Sequence, residues 1–194
     1  MPLYPRGAAG EEARRSDKEE EKIAHDEGHV RRVVRLARYI ALKEGANLEV
    51  VTKAAELHDI ARESENHAKV SAERARLLLK EQGYGSDFVE AVAHAIESHS
   101  FSSGCDPRTL EAKVLSDADK LDAMGAIGVA RAFMFSGERG RSIEDTLKHF
   151  EEKLLKLKDT LHTETAKKLA ESRHKFLLEF YRRIREELEF VEKL

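Results

Sequence analysis

Nine histidines occur in the 194 residues, and six of them fall between His25 and His99, interleaved with Asp26 and Asp59 and followed by Asp117, Asp119 and Asp122. Imidazole nitrogens and carboxylate oxygens gathered this way are donors for a divalent metal ion. Thiolate ligation is ruled out by composition, because Cys105 is the single cysteine. His25 and His29 are four apart, about 40° around a helix axis, so both face one point and one can bind an ion while the other supports it. His58 and Asp59 offer an imidazole and a carboxylate from adjacent positions. Asp119 and Asp122, three apart, share a helix face, whereas Asp117 lies roughly 200° from Asp119 and points away, which favours Asp119 as a ligand. The alternative for each residue is structural: histidines hydrogen-bonded in a core and aspartates capping helices.

The elements that must position these groups read as helices throughout. From Asp17 the apolar residues Ile23, Val30, Val33, Val34, Ala37, Ile40 and Ala41 recur at helical spacing until Gly45 closes the run. Asn47 is placed to cap a second helix ending near His58-Asp59-Ile60. A third is predicted from Asn66 to Gln82, with Ala72, Ala75, Leu77, Leu78 and Leu79 inward, and a fourth from a Ser86 cap through Ile96. Ser98 to Arg108 is a loop, and Asp106-Pro107 reads as the cap and first position of a fifth helix running to about Ser136. Gly125 and Gly128 sit inside its apolar run, where close helix packing is expected rather than a phosphate loop. After the Gly137–Gly140 break, Ser142 and Asp145 suggest a capping box, with helices through Phe150 to Leu157 and Thr163 to Leu194. The expected architecture is an all-α single domain over 17–194, preceded by an N-terminal arm over 1–16.

Composition narrows the function. Lys plus Arg total 34 against 37 for Asp plus Glu, a formal charge of −3, which supplies no basic excess for nucleic acid. No stretch approaches the roughly 20 apolar residues of a membrane span, and a cytoplasmic setting without membrane or nucleic-acid partners is expected.

Three blocks carry a resemblance: His29 within His-Asp-Glu-Gly-His-Val-Arg-Arg-Val, then Leu57-His58-Asp59-Ile60, then Ser116-Asp-Ala-Asp119-Lys-Leu-Asp122. In that order the sequence resembles the HD-domain metal-dependent phosphohydrolase superfamily. The later His149-Phe-Glu-Glu-Lys run, Thr163-Glu-Thr-Ala and Arg173-His174 are similar to its small single-domain bacterial and archaeal subgroup. The resemblance spans about residues 20 to 190. It implies a helical HD fold, with His29, His58, Asp59 and Asp119 holding an ion such as Mn²⁺, Fe²⁺, Ni²⁺, Co²⁺ or Zn²⁺, and His25, Asp26 and Asp122 orienting those ligands. His67 and His99 match the extra histidines of two-metal relatives, and serve either a second ion or the substrate. Arg62 stands where many relatives place a phosphate-contacting lysine. Glu63 is positioned to orient or deprotonate water, Lys120 to meet phosphate, and Lys153 and Lys156 are further phosphate candidates. The implied activity is hydrolysis of a small phosphorylated metabolite, foremost a nucleotide: a triphosphate cleaved to monophosphate and pyrophosphate, or a phosphomonoester. A metal-binding nucleotide sensor or a helical interaction module without turnover is the alternative.

Overall fold

A computed structural model describes residues 27–100 and 104–194, and the described residues are helical with no strand. His25 and Asp26 lie outside them. Helix α1 (Glu27–Glu44) buries Val33, Ala37, Ile40 and Ala41, the apolar stripe that its spacing predicts. Asn47 caps α2 (Leu48–Leu57), its side-chain oxygen accepting from the Glu49 and Val50 amides. Helices α3 (His67–Glu81) and α4 (Ser86–Glu97) pack together across Ala72, Ala75, Leu79, Val89, Val92 and Ile96. Leu77 and Leu78 are exposed rather than inward, because they stand about 200° and 100° around the helix from Leu79 on the buried stripe. Helix α4 takes Gly85, not Ser86, as its N-cap.

The segment predicted as one fifth helix is two. Helix α5 (Leu110–Asp122) starts at a Thr109 cap, whose hydroxyl accepts from the Ala112 amide, so Asp106-Pro107 stays in the loop. Helix α6 (Gly125–Glu138) follows after a break. Gly125 adopts φ +70°, a left-handed conformation that side chains resist, and a Cβ on Gly128 would stand 2.2 Å from the Ala123 carbonyl oxygen. This close approach at the junction lets Arg131 reach back to Asp122; nine positions along an unbroken helix would separate them by about 13.5 Å.

Ser142 caps α7 (Ile143–Glu152) by accepting from the Asp145 amide, and a 3-10 segment (Leu154–Thr160) replaces the single helix expected through Leu157. Helix α8 (Glu164–Glu192) is anchored at its start: Asp117, turned away from Asp119 as the spacing requires, accepts from the His162 and Thr163 amides and the Thr163 hydroxyl, while Glu44 accepts from the Thr165 amide. Phe133, Phe150, Phe180 and Tyr181 join α6, α7 and α8.

Candidate metal centre

Helix ends deliver the donors. His29 sits in the first turn of α1, His58 caps the end of α2 with Asp59 next to it, His67 opens α3, His99 follows α4, and Asp119 and Asp122 occupy the last turn of α5. His29, His58 and His99 are buried. His29 Nε2 lies 3.2 Å from His58 Nε2, 3.6 Å from Asp59 Oδ2 and 3.5 Å from Asp119 Oδ1, and His58 Nε2 is 3.6 Å from Asp59 Oδ2. Ligands held about 2.0 to 2.2 Å from one ion stand roughly 2.8 to 3.6 Å apart at right or tetrahedral angles, so the separations among His29, His58 and Asp59 fit a shared cation, and Asp119 adjoins it through His29.

The other ring nitrogens explain why the Nε2 atoms converge. His58 Nδ1 donates to the Ala55 carbonyl at 2.8 Å, and His29 Nδ1 to the Asp122 carboxylate at 2.9 Å. Neither acceptor can donate, so in a neutral ring each Nε2 carries a lone pair. When both rings are neutral these lone pairs face each other at 3.2 Å, and a proton on His29 or a cation between the rings removes the repulsion. The donor set, nitrogen and carboxylate oxygen without sulfur, suits a divalent transition ion.

Asp122 is the brace behind this arrangement. It accepts from His29, from Arg32 Nε at 2.7 Å and from Arg131 Nη1 at 2.8 Å. Burial opposes its ionisation, but the hydrogen bonds from His29 and Arg32 and the Arg131 charge prevail and hold the carboxyl well below the usual range. For His29, burial acts downward and Asp122, Asp59 and Asp119 reverse it, leaving the imidazole above its ordinary value in the absence of a cation. Sequence reading identified neither arginine. Arg32 was accessible to it, being three positions after His29 on the same face; Arg131 was not, because its partnership depends on the α5–α6 break.

His67 and His99 come to the opposite side of Asp59, with Nε2 atoms 3.8 and 4.0 Å from its Oδ1. His99 Nδ1 donates to the Ile96 carbonyl at 2.5 Å, and the His99 carbonyl accepts from the Ser116 hydroxyl. Arg62 Nη1 donates to His67 Nε2 at 3.0 Å and stands 3.5 Å from Asp59. Burial, then the charges of Arg62 and His99, push the His67 imidazole down to about 4, so it is neutral near pH 7.

Asp119 also faces a cavity of about 170 Å³. Arg62, Arg131 and Lys153 line its charged part, and Ala132, Phe135, Leu154 and Leu157 its apolar part. His149, which the sequence did not bring to the site, is in the wall as well. Lys120 borders the cavity, but its ammonium donates to the Thr160 carbonyl at 2.7 Å and thereby ties the 3-10 segment to α5. Glu63 lies exposed in the turn after Asp59, and Lys156 is exposed on the 3-10 segment.

A helical domain that gathers His29, His58 and Asp59 at one point, with Asp119 next to His29 and a cationic cavity alongside, has the design of a metal-centred phosphohydrolase. The HD-domain family model matches residues 27–124. The chain is 39% identical over 178 residues to YpgQ of Bacillus subtilis strain 168, an uncharacterized protein, covering 87% of each. The crystal structure of YpgQ in complex with ADP superposes with a TM-score of 0.74 at 38% identity, over 86% of this chain and 91% of that one. An HD-superfamily hydrolase from Bacillus thuringiensis superposes at 0.67 and 35% identity, over 84% and 85% of the two chains. The protein belongs to the HD-domain superfamily of metal-dependent phosphohydrolases.

Proposed function

We propose that this protein hydrolyses nucleoside triphosphates to monophosphate and pyrophosphate, with His29, His58, Asp59 and Asp119 holding one tightly bound divalent ion drawn from Mn²⁺, Fe²⁺, Ni²⁺, Co²⁺ or Zn²⁺. The observation that carries this reading is the approach of two Nε2 atoms to 3.2 Å with two carboxylates beside them, opening onto a cavity whose cations suit a polyphosphate. Binding of ADP by the related YpgQ supports a nucleotide.

When bound, a divalent ion supplies Lewis acidity toward a phosphoryl oxygen and makes water more acidic. The protein's own groups do the rest. Arg62, Arg131 and Lys153 neutralise phosphate oxygens, with Arg62 able to engage two oxygens at once. Neutral His67 accepts from the Arg62 guanidinium and so fixes its direction. Glu63, one residue beyond Arg62 and open to solvent, serves as proton acceptor for the attacking water. Asp122 keeps the His29 ring turned with Nε2 inward. His67 and His99 form a weaker second ion site across Asp59, which competes with Arg62 for the His67 Nε2 lone pair.

The test is a panel of nucleoside mono-, di- and triphosphates and simple phosphate esters, incubated with each of the five ions and scored for phosphate and for pyrophosphate. Pyrophosphate release from triphosphates is expected, dependent on the ion. Orthophosphate from monophosphates and simple esters, with no pyrophosphate from triphosphates, would replace this reading with phosphomonoester hydrolysis, and absence of turnover on every compound would favour a nucleotide sensor.

A further inference from the structure

The charged part of the cavity accounts for phosphate, but its apolar part has no role in that chemistry. Helix α6 forms one wall through Gly128, Arg131, Ala132 and Phe135, positions i, i+3, i+4 and i+7 on a single stripe. Arg131 is anchored on Asp122 at the metal centre, and Phe135 lies one turn further along, about 6 Å along the helix axis. The facing wall makes the same change, from Lys153 to Leu154 and Leu157. A ligand that fills this space is anionic at one end and apolar at the other.

Two features select a flat heteroaromatic ring over an alkyl chain. The Arg139 guanidinium carbon sits 3.6 Å from the Phe135 ring centroid, with that of Arg141 at 5.7 Å, while neither arginine lines the cavity. The cations pack against the ring and keep it in one orientation at the wall. His149 provides the second feature: burial holds its imidazole below its ordinary value, and a neutral ring offers one donor and one acceptor at the cavity surface. A hydrocarbon has no use for either, whereas a nucleobase has a face to stack and polar edges to match.

We infer that Phe135, braced by Arg139, is a stacking platform for the nucleobase and determines how strongly this site favours a nucleotide over a bare polyphosphate. The inference rests on the phosphohydrolase reading above, and goes beyond it in assigning the ring-binding residue. Calorimetric titration of the Mn²⁺-loaded protein with ADP, pyrophosphate and an alkyl diphosphate tests it, using wild type, Phe135→Ala, Phe135→Leu and Phe135→Tyr, each checked for its helical circular dichroism. Loss of base stacking typically weakens binding by roughly ten- to a hundredfold. Phe135→Ala is expected to lose at least tenfold more affinity for ADP than for pyrophosphate, with Phe135→Tyr restoring ADP binding and Phe135→Leu failing to do so. Equal losses for the two ligands in Phe135→Ala, wild-type ADP affinity in Phe135→Leu, or an alkyl diphosphate held as tightly as ADP by wild type would each overturn the platform while leaving the phosphohydrolase reading intact. Wild-type protein that binds neither ADP nor pyrophosphate would defeat both.

Discussion

Replacing Asp122 by alanine is expected to lower stability and metal affinity together, by separable amounts. The carboxylate is buried and accepts four close contacts: one from His29, two from Arg32 and one from Arg131. Removing it takes from the Arg131 guanidinium, only 12% exposed, its hydrogen-bonded counter-charge and leaves it the more distant Asp119 charge, a change that costs up to the about 3 to 5 kcal/mol of a broken buried pair. Arg32 adds little, because at 34% exposure water can take over its hydrogen bonds. For a chain of this length each kcal/mol moves Tm by about 2 to 4 °C, so a fall of up to roughly 20 °C is expected in chelator-treated protein, where no metal contributes. Separately, losing the group that orients a ligating histidine commonly lowers metal affinity about 10- to 100-fold. Thermal unfolding in chelator gives the first quantity and Mn²⁺ calorimetry the second. Asp122→Asn, which keeps the shape but not the charge, should fall between the variant and wild type in both. A chelator-form Tm within about 2 °C of wild type and an unchanged Mn²⁺ affinity would refute the bracing role.

Asp59→Ala is expected to abolish turnover and to erase the Tm difference between metal-loaded and chelated protein, since an ion that binds only the folded state stabilises by mass action; activity near wild type at saturating metal would contradict the ligand set. Metal titration should reveal one tight and one weaker site, with His99→Ala diminishing the weaker alone, and two equally tight sites would show a dinuclear centre instead. Gly128→Ala is expected to cost at least about 3 kcal/mol, beyond the usual 1 to 3 for overpacking, because its Cβ meets backbone rather than a yielding side chain; a chemical-denaturation midpoint equal to wild type would refute the close approach.

Much of this arrangement was legible because local rules and tertiary structure agree. Asn47 and Ser142 cap where their side chains predict, and the turning angles correctly separate Asp119 from Asp117. The α5–α6 break was not legible: Ala123, Met124 and Gly125 continue an apolar run, no side chain caps α6 at Met124, and a glycine within a helical pattern does not announce a left-handed φ. Everything that depends on that break was hidden with it, notably the reach of Arg131 to Asp122. Lys120 shows another limit. Its position beside Asp119 suggests phosphate, but the direction of its long chain is set by the Thr160 carbonyl, 40 residues away. Phe135 and His149 join the cavity from separate helices, a meeting no local spacing encodes.

The backward hydrogen bonds of His58 and His99 have an evolutionary consequence. Each ring donates to the carbonyl three residues earlier, Ala55 and Ile96, at the end of its helix, where backbone acceptors lack a helical partner. The position at which a helix stops thereby decides which nitrogen faces inward and where it sits. Inserting or deleting one residue within α2 or α4 would swing the histidine by about 100° and shift it about 1.5 Å. The lengths of α2 and α4 are thus inherited as fixed measures.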